Sequence, residues 1–370
     1  MRVARAATLG LRNLVPTETE LAPGINLLWG PNGAGKTTFL EGICLALAGR
    51  SPRTRRERET IAFDQALARV EAELVAEAET RTFLWSAARS GDRRHTVDGS
   101  PVSPGSPPSP SLSVFMPDRL AMVKGPPGAR RDHLDRVVAA IWPSRQAARV
   151  RYARALAQRN ALLGRVRAGL SRADSLDAWD AELAATGAEL IAARAEAAQT
   201  LAPEFAAAAA ELGAAAEAAL AYRPRCRGST ADEIASELGE RRDSDLARGF
   251  TGHGPHLDEL SLSVGGRDLR RYGSQGEQRA GLLALLFAER EALAKTGRPL
   301  PLMLLDDVMS ELDPERRSRL AARLEAGGGQ VVITATEPGH LPPECERSEL
   351  GLRAGAVLRA MPPAQRRAAA

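Results

Sequence analysis

Residues 25–38 read INLLWGPNGAGKTT, and this stretch decides the fold. A short apolar run ends at Gly30, and residues 30–37 fit G-x-x-x-x-G-K-[ST], the pattern of a phosphate-binding loop between a strand and a helix. The glycines allow backbone N–H groups to point inward at an anion, Lys36 adds a positive charge for the β- and γ-phosphates, and Thr37 offers a hydroxyl to Mg²⁺. Apolar residues at helical spacing after Thr38 predict a helix whose N-terminus faces the phosphates. The predicted nucleotide-binding residues are Gly30, Pro31, Asn32, Gly33, Ala34, Gly35, Lys36, Thr37 and Thr38.

A second motif lies near the other end of the chain. Residues 301–307 read PLMLLDD, an apolar strand that ends in Asp306 and Asp307. Two acids at the end of a strand are what a Mg²⁺-nucleotide site needs opposite its phosphate-binding loop. The two motifs together predict nucleotide binding, with distant parts of the chain meeting in one site.

Composition places the chain among folded proteins. Of its 370 residues, 44% are hydrophobic, which is enough for a substantial core. No stretch approaches the roughly 18 apolar residues of a membrane span, and the N-terminus lacks an apolar signal region, so we expect a cytoplasmic location and no membrane partner. Cys44, Cys226 and Cys345 lie far apart, and their spacing predicts neither disulfides nor a metal site. The net charge of +4 is compatible with nucleic acid but supports it only weakly.

Hydrophobic patterning predicts two strand-rich parts with a helical part between them. Strand patterns occupy residues 1–29, 67–102, 112–116, 260–266 and 330–334, with turn signals at Asp98-Gly99 and Gly265-Gly266. Residues 101–110 are rich in Pro and Ser and predict an exposed loop, whereas residues 129–222 show helical spacing, including a helix over 206–219. The predicted domains are an N-terminal half with the phosphate-binding loop (1–122), a helical lobe (123–245), a C-terminal half with the acidic strand (246–360) and a tail (361–370).

A second candidate anion site precedes the most apolar helix. Residues 271–279 read RYGSQGEQR, and leucines at helical spacing follow them. A Ser- and Gly-rich loop at a helix N-terminus presents free N–H groups to an anion. Ser274 and Gly276 are therefore candidate phosphate-binding residues.

These motifs and their order resemble the ABC-type ATPase heads of SMC and Rad50-like proteins. In more detail the chain resembles the RecF family of bacterial recombination mediators, in order and through nearly its whole length. The matching positions are Arg12-Asn13, residues 30–37, 51–54 (SPRT), Lys124-Gly125, 130–132 (RRD), 158–160 (QRN), 254–256 (GPH), 273–278 (GSQGEQ) and 304–313 (LLDDVMSELD). The resemblance implies an α/β fold in which an ABC-type P-loop ATPase head, with a mixed sheet core and an antiparallel side sheet, carries an inserted α-helical lobe.

The resemblance also implies roles for single residues. Thr37 and Asp306 would hold Mg²⁺, while Lys36 and Asp307 would be catalytic, Asp307 by acting on the attacking water. ABC heads usually have glutamate at the second acidic position, so the shorter Asp307 implies slow ATP turnover. Ser274 and Gly276 occupy the positions of the signature loop, which caps the γ-phosphate of a partner subunit. ATP would then close a homodimer with two nucleotides between the heads, and residues 310–313 would cross that interface.

As a function, the resemblance implies an ATP-dependent DNA-binding protein of recombinational repair and replication. Its ATP-bound dimer would clamp DNA in the nucleoid and, with RecO and RecR, help load RecA at gaps, a role related to the SOS response. The alternative is an ABC-type head that acts as a scaffold or signalling ATPase without DNA. The absence of long coiled-coil segments argues against an SMC protein.

The sequence departs from the family pattern in the nucleotide-sensing switches. An ABC head commonly has a histidine after the strand at 331–333, whereas residues 334–336 read TAT. For the Q-loop, Gln65 and Asp118 are the positions considered, and neither matches. Pro52 stands where the family has phenylalanine, and Val15-Pro16 replaces an expected aromatic residue. These departures concern the switches and not the class of protein.

Candidate DNA contacts are clusters of arginine. Residues 49–58 contain five arginines and either contact phosphates or form a solvated surface. Arg130 and Arg131 either contact DNA or pair with Asp132 and Asp135. Aromatic residues make up only 4% of the chain, which leaves few stacking platforms for single strands, so a duplex or a single-strand/double-strand junction bound without sequence preference is expected.

For two other sets of residues, a structural or solvent-exposed role is favoured over a functional one. His253 and His256 could suggest a metal site, but no acid-and-cysteine cluster lies near them in sequence, so a structural role is favoured. Asp174, Asp177 and Asp180 have helical spacing on a polar stretch and predict a solvated face.

Overall fold

A computed structural model describes residues 1–76, 79–102, 110–116, 120–310 and 312–358. Its strands are β1 (Arg2–Leu9), β2 (Thr17–Glu20), β3 (Ile25–Trp29), β4 (Leu67–Ala76), β5 (Glu79–Ala88), β6 (Arg93–Val97), β7 (Ser100–Pro101), β8 (Leu112–Phe115), β9 (Ala218–Arg223), β10 (Glu259–Val264), β11 (Arg267–Asp268), β12 (Leu302–Leu305), β13 (Val331–Ala335), β14 (Ser348–Arg353) and β15 (Ala356–Leu358). Its α-helices are α1 (Lys36–Ala48), α2 (Ala121–Lys124), α3 (Pro127–Ile141), α4 (Gln146–Arg167), α5 (Asp177–Glu211), α6 (Ala231–Glu240), α7 (Arg242–Arg248), α8 (Leu269–Tyr272), α9 (Gln275–Lys295) and α10 (Pro314–Ala326). Among the described residues, no helix is both long enough and apolar enough to cross a membrane.

The chain forms two compact units. One contains residues 1–119 and 299–370, and the other contains residues 120–298. Residues 246–298, which the sequence pattern groups with the C-terminal half of the head, lie in the second unit. The functional division into four domains stays a prediction.

The first unit is built on a mixed sheet with strand order β15-β14-β3-β13-β12-β8. Strand β3 pairs in parallel with β13 and β14, β12 pairs in parallel with β13 and β8, and only β15 is antiparallel to its neighbour. The apolar strands β3, β12 and β13 are almost wholly buried, as parallel strands covered on both faces are. Because the carboxyl ends of parallel strands meet at one edge, the loops after β3, β13 and β12 lie side by side.

The second sheet of this unit is antiparallel, with order β2-β1-β4-β5-β6-β7. Burial alternates along β4 and β5, and the inward face contributes Val70, Phe83 and Trp85 to the core that also contains the apolar residues of α1. The turn between β6 and β7 falls at Asp98 and Gly99, with φ of 51° and 80°, as the hairpin signal predicts. The predicted side sheet is thus confirmed, and β1 and β2 extend it. Of the predicted loop at 101–110, residues 103–109 lie outside the described residues.

The second unit is mainly helical and holds a three-stranded antiparallel sheet with order β11-β10-β9. The helix predicted over 206–219 is wrong in its second half, because α5 ends at Glu211 and β9 begins at Ala218. Gly213, with φ of 81°, follows the end of the helix, and Ala218 and Leu220 then alternate inward in register with β10. Pairing with a distant strand overrides the helical propensity of the alanines.

Two charged groups of this unit are buried, contrary to expectation. Arg130 is 3% exposed and forms a bidentate ion pair with Glu259, so it neither faces solvent nor pairs with Asp132 or Asp135. Asp180 is not on a solvated face: it is 5% exposed and accepts hydrogen bonds from Arg159 at 2.6 Å and Arg242 at 2.6 Å. Buried charges need such partners, and partners distant in sequence are not visible in a local pattern.

Candidate nucleotide-binding site

The phosphate-binding loop connects the buried end of β3 to the first turn of α1. Gly35 has φ of 108°, and a Cβ atom there would lie 2.6 Å from Leu14 Cδ2. A Cβ at Gly30 would lie 2.1 Å from the carbonyl oxygen of Leu352. Gly33 has φ of 81° with open space around it. The glycines are therefore needed both for backbone conformation and for close packing of the loop.

Lys36 lies along the inside of this loop. Its Nζ donates to the carbonyl oxygens of Gly30 at 2.6 Å and Pro31 at 3.1 Å, and the residue is buried. Burial lowers the pKa of the Lys36 ammonium, and the negative charges of Asp307 and Asp306 oppose that shift. The ammonium group is thus held at the loop beside two carboxylates.

Thr37 and Asp306 meet although 269 positions separate them in sequence. The Thr37 hydroxyl donates to Asp306 Oδ2 at 2.8 Å and to Oδ1 at 3.0 Å. The Asp306 carboxylate also accepts a 2.8 Å hydrogen bond from the hydroxyl of Thr334. Burial raises the pKa of Asp306, while the hydrogen bonds from Thr334 and Thr37 act in the opposite direction. A hydroxyl and a carboxylate side by side are oxygen ligands of the kind that Mg²⁺ prefers.

Asp307 adopts an uncommon backbone conformation, with φ of 49°. Such a conformation costs about 1–3 kcal/mol in a residue other than glycine and is concentrated at functional sites. The Asp307 amide donates to the Thr334 hydroxyl at 2.9 Å, and its carboxylate oxygen Oδ1 is buried without a hydrogen-bond partner among the described residues. An acceptor held in this way is available to a water molecule or a ligand.

Thr334 is a site residue that sequence reasoning missed. It is the penultimate residue of β13, which lies between the two motif-bearing strands. It is fully buried, and its hydroxyl joins the side chain of Asp306 to the backbone of Asp307. The sequence by itself shows only that no histidine occupies residues 334–336. The strand order was the missing information, since β13 lies between β3 and β12.

An outer layer fixes the loop and the first turn of α1. Asn13 donates to the carbonyl of Gly33 at 2.7 Å and accepts from the hydroxyl of Thr38 at 2.9 Å, so the Thr38 side chain is engaged within the protein. The fully buried carboxylate of Glu41 accepts from Arg12 at 2.6 and 2.9 Å. It also accepts from Ser51 at 2.6 Å and Arg53 at 3.2 Å. Arg12, Ser51 and Arg53, which lie at family-like positions, thus share the partner Glu41, which the sequence does not predict. Asn13 instead fixes the loop through Gly33 and Thr38.

Ser274 and Gly276 lie in the second unit at the N-terminus of the 21-residue helix α9. Ser274 forms a capping box: its hydroxyl accepts from the Glu277 amide at 3.3 Å, and the Glu277 carboxylate accepts from the Ser274 amide at 2.7 Å. Both Ser274 and Gly276 are exposed. The loop is therefore structured and accessible, and its role toward a second subunit stays a prediction.

The structure describes only some of the other predicted switch and interface positions. Gln65, one of the two Q-loop candidates, is exposed, and within the described part of the chain its side-chain amide donates a hydrogen bond only to the neighbouring Asp64. Asp118, the other Q-loop position considered, and Glu311, within the segment at 310–313, lie outside the described residues.

Comparisons with known proteins agree with this geometry. A family model described as an AAA domain matches residues 10–95. The "DNA replication and repair protein RecF" of Heliobacterium modesticaldum is 36% identical over 354 residues, which cover 93% of this chain and 95% of that protein. A solved structure described as the recombination mediator protein RecF-ATP in the RecFOR pathway superposes with a TM-score of 0.84 at 26% identity, covering 97% of each chain. An Smc head bound to the C-winged helix domain of ScpA matches in fold alone, with a TM-score of 0.61 at 14% identity over 99% of this chain and 100% of that one.

These similarities extend over nearly the whole chain, as the ordered motifs predict. The fold is that of an ABC-type ATPase head with mixed and antiparallel sheets and an α-helical insertion. The expected resemblance is confirmed, and this chain belongs to the RecF family of DNA replication and repair proteins.

Proposed function

We propose that this chain is an ATP-dependent DNA-binding ATPase of recombinational repair and replication. The observation that carries the proposal is the hydrogen bond of 2.8 Å between the Thr37 hydroxyl and Asp306, which joins the phosphate-binding loop to the acidic strand. Support also comes from a relative described as RecF-ATP in the RecFOR pathway.

ATP would bind with its phosphates on the amides of residues 30–38 and on the Lys36 ammonium. Thr37 and Asp306 would hold Mg²⁺, which when bound neutralises charge on the β- and γ-phosphates. Asp307, with its unpartnered buried oxygen, would orient the attacking water and accept its proton. Its short side chain reaches less far than glutamate, which favours slow turnover.

ATP binding would close a homodimer. The exposed N-terminus of α9, with Ser274 and Gly276, would cap the γ-phosphate held by a second copy of the chain, because first-turn amides have no acceptor within their own helix. Residues 310–313 would lie at the same interface.

The DNA contact would come in part from the arginine-rich segment at residues 49–58. Arg55, Arg56 and Arg58 are exposed and line a cleft of about 500 Å³. The other lining residues are Glu57 and Glu59 from the same segment, Ala87 and Ala88 at the end of β5, and Gly91 and Asp92 in the β5–β6 turn. Contacts of this kind hold phosphates and carry no sequence information. A duplex or a single-strand/double-strand junction is the expected DNA ligand. By family membership, RecO and RecR would be protein partners, and through them the chain would help load RecA at gaps. This role would be related to the SOS response.

The test is light scattering with sedimentation on wild type, Lys36→Met and Ser274→Arg, with and without ATP and a short duplex. Ser175→Arg, at an exposed serine of the second unit, is the matched control. Wild type and the control should dimerise with ATP and retain DNA more tightly, whereas the two site variants should stay monomeric. A monomeric wild type, or DNA binding that ignores nucleotide, would instead indicate a scaffold ATPase.

A further inference from the structure

Three buried side chains of the second unit converge from separate segments. Cys226 follows β9, Glu237 lies on α6, and His253 follows α7. Each residue offers one potential ligand atom: a thiol sulfur, a carboxylate oxygen or a ring nitrogen. These three atoms all lie within 4.8 Å of one another. The exposed fractions are 4% for Cys226, 5% for Glu237 and 4% for His253. The cluster is therefore closed to bulk water.

The carboxylate of Glu237 is oriented by its surroundings. Its Oε1 accepts a hydrogen bond from the Gly228 amide at 2.6 Å, and its Oε2 lies 2.6 Å from His253 Nε2. Metal-binding carboxylates are typically fixed by such outer hydrogen bonds. The backbone between β9 and α6 thus supplies the second layer of a site.

Two features of the cluster are unexplained by a simple Glu–His pair. The Nδ1 atom of His253 is buried and has no hydrogen-bond partner among the described residues. Cys226 is a buried free thiol, and its sulfur lies within 4.8 Å of a carboxylate oxygen of Glu237 and a ring nitrogen of His253. A cation at this place would compensate both the carboxylate and a thiolate.

We propose that Cys226, Glu237 and His253 form a site for a borderline-soft divalent transition-metal ion, of which Zn²⁺ is the best match. Thiolate, imidazole and carboxylate are the ligands of zinc, whereas Mg²⁺ and Ca²⁺ prefer oxygen alone. Zn²⁺ replaces the thiol proton of Cys226, which is released as the metal–sulfur bond forms, and the neutral imidazole of His253 keeps its single proton on the ring nitrogen that does not bind the ion. Three protein ligands leave the fourth tetrahedral position for water.

The ion would connect the loop after β9, helix α6 and the segment that leads into Pro255. These segments otherwise meet through the hydrogen bond from the Gly228 amide to Glu237, the Glu237–His253 contact, and an apolar cluster that includes Cys226, Ile234 and Leu238. The site lies in the second unit, and it shares no residue with the Thr37–Asp306 pair of the first unit. A metal there would stabilise the second unit and make it sensitive to chelators and to thiol oxidation.

The test uses Co²⁺ as a coloured probe on the full chain, stripped of metal and held in millimolar Mg²⁺ to occupy the nucleotide site. Binding should produce a thiolate-to-cobalt absorption band at one equivalent, with Zn²⁺ displacing it. Cys226→Ser should lose the band, His253→Ala should weaken cobalt binding by at least about tenfold, and Cys345→Ser, a matched buried cysteine in the first unit, should keep the band.

A readout on wild type alone guards against variants that misfold. Zn²⁺ should slow alkylation of Cys226 under mildly denaturing conditions and leave the rates at Cys44 and Cys345 unchanged, as followed by peptide mass spectrometry. The absence of a cobalt band, together with an unchanged alkylation rate at Cys226, would overturn the proposal. A cobalt band that persists in folded Cys226→Ser would overturn it as well. Neither result depends on ATP binding, dimerisation or DNA.

Discussion

The hydroxyl of Thr334 donates a 2.8 Å hydrogen bond to the carboxylate of Asp306, and it also accepts one of 2.9 Å from the amide of Asp307. One buried side chain thus sets the positions of both acids at the end of β12. Thr334 lies within β13, so the orienting hydroxyl comes from the strand that neighbours β12.

Replacing Thr334 by valine should disturb the acids while keeping the side-chain shape. Thr334→Val leaves a buried carboxylate oxygen and a buried amide without this partner, so the free energy of unfolding should fall by about 1–3 kcal/mol. Mg²⁺-dependent nucleotide affinity, measured with a fluorescent ATP analogue, should fall as well. Thr334→Ser keeps the hydroxyl and should retain that affinity. Equal nucleotide binding by the valine and serine variants would contradict the orienting role.

Asp307→Asn should separate binding from hydrolysis. Asparagine tolerates the positive φ of 49° at this position, so the backbone should be kept. The amide cannot accept a proton from water, and turnover should fall by at least about 100-fold. Steady-state phosphate release and ATP titration measure the two quantities, with an unchanged dissociation constant expected. Unchanged turnover would remove Asp307 from the catalytic role.

Asp306→Asn should stabilise the nucleotide-free protein. Burial raises the pKa of Asp306, so the folded state favours the protonated form more than the unfolded state does. The contribution of Asp306 to stability is therefore greatest below the ordinary aspartate pKa and is lost as pH rises through the folded-state value. A neutral side chain avoids this loss, and at neutral pH the unfolding midpoint of Asp306→Asn should exceed that of wild type.

The same Asp306→Asn variant should lose stabilisation by Mg²⁺ and ATP together, because a carboxylate ligand is missing. Thermal unfolding at pH 4 and pH 7.5, with and without Mg²⁺-ATP, provides the comparison. Without nucleotide, the thermal unfolding midpoint of Asp306→Asn should exceed that of wild type by less at pH 4 than at pH 7.5. A variant less stable than wild type at pH 7.5 would show that the carboxylate is already compensated in the nucleotide-free state.

Glu41→Gln should destabilise the first unit. The Glu41 carboxylate is fully buried and pairs with Arg12 and Arg53, which are partly exposed. Loss of one partner from a buried ion pair typically costs about 3–5 kcal/mol, and the partial exposure of the arginines should reduce the effect to about 2–3 kcal/mol. Denaturant unfolding measures this loss, with Glu59→Gln, at an exposed glutamate, as the control. Equal midpoints for the two variants would show that the pair is energetically neutral.

Substituting Arg55, Arg56 and Arg58 together by glutamine should weaken DNA binding without affecting ATP binding. If each arginine neutralises one phosphate, the slope of log affinity against log salt should shrink by up to about 2.7. Fluorescence anisotropy with a duplex between 50 and 200 mM salt gives that slope. Arg172→Gln, at an exposed arginine of the second unit, serves as the control. An unchanged slope would assign this loop to the solvated surface.

Several features were readable from the sequence because they depend on neighbouring residues. The glycine and lysine spacing at 30–37, the apolar strand before Asp306 and Asp307, and the turn at Asp98-Gly99 are all local patterns. Local patterns encode backbone conformation and strand or helix period directly. The order of such motifs was also enough to indicate the family.

Only the tertiary structure decided which distant residues share a partner. Glu41 lies beneath Arg12 and Arg53, Arg130 pairs with Glu259, and Cys226, Glu237 and His253 converge in the second unit. The predicted helix over 206–219 includes Ala218 and Ala219, the first two residues of β9, because alanine favours helices; pairing with β10 outweighs that preference. Sheet order and burial determine these pairings, and both are properties of the whole fold, whereas spacing along the chain reports only what lies a few residues away.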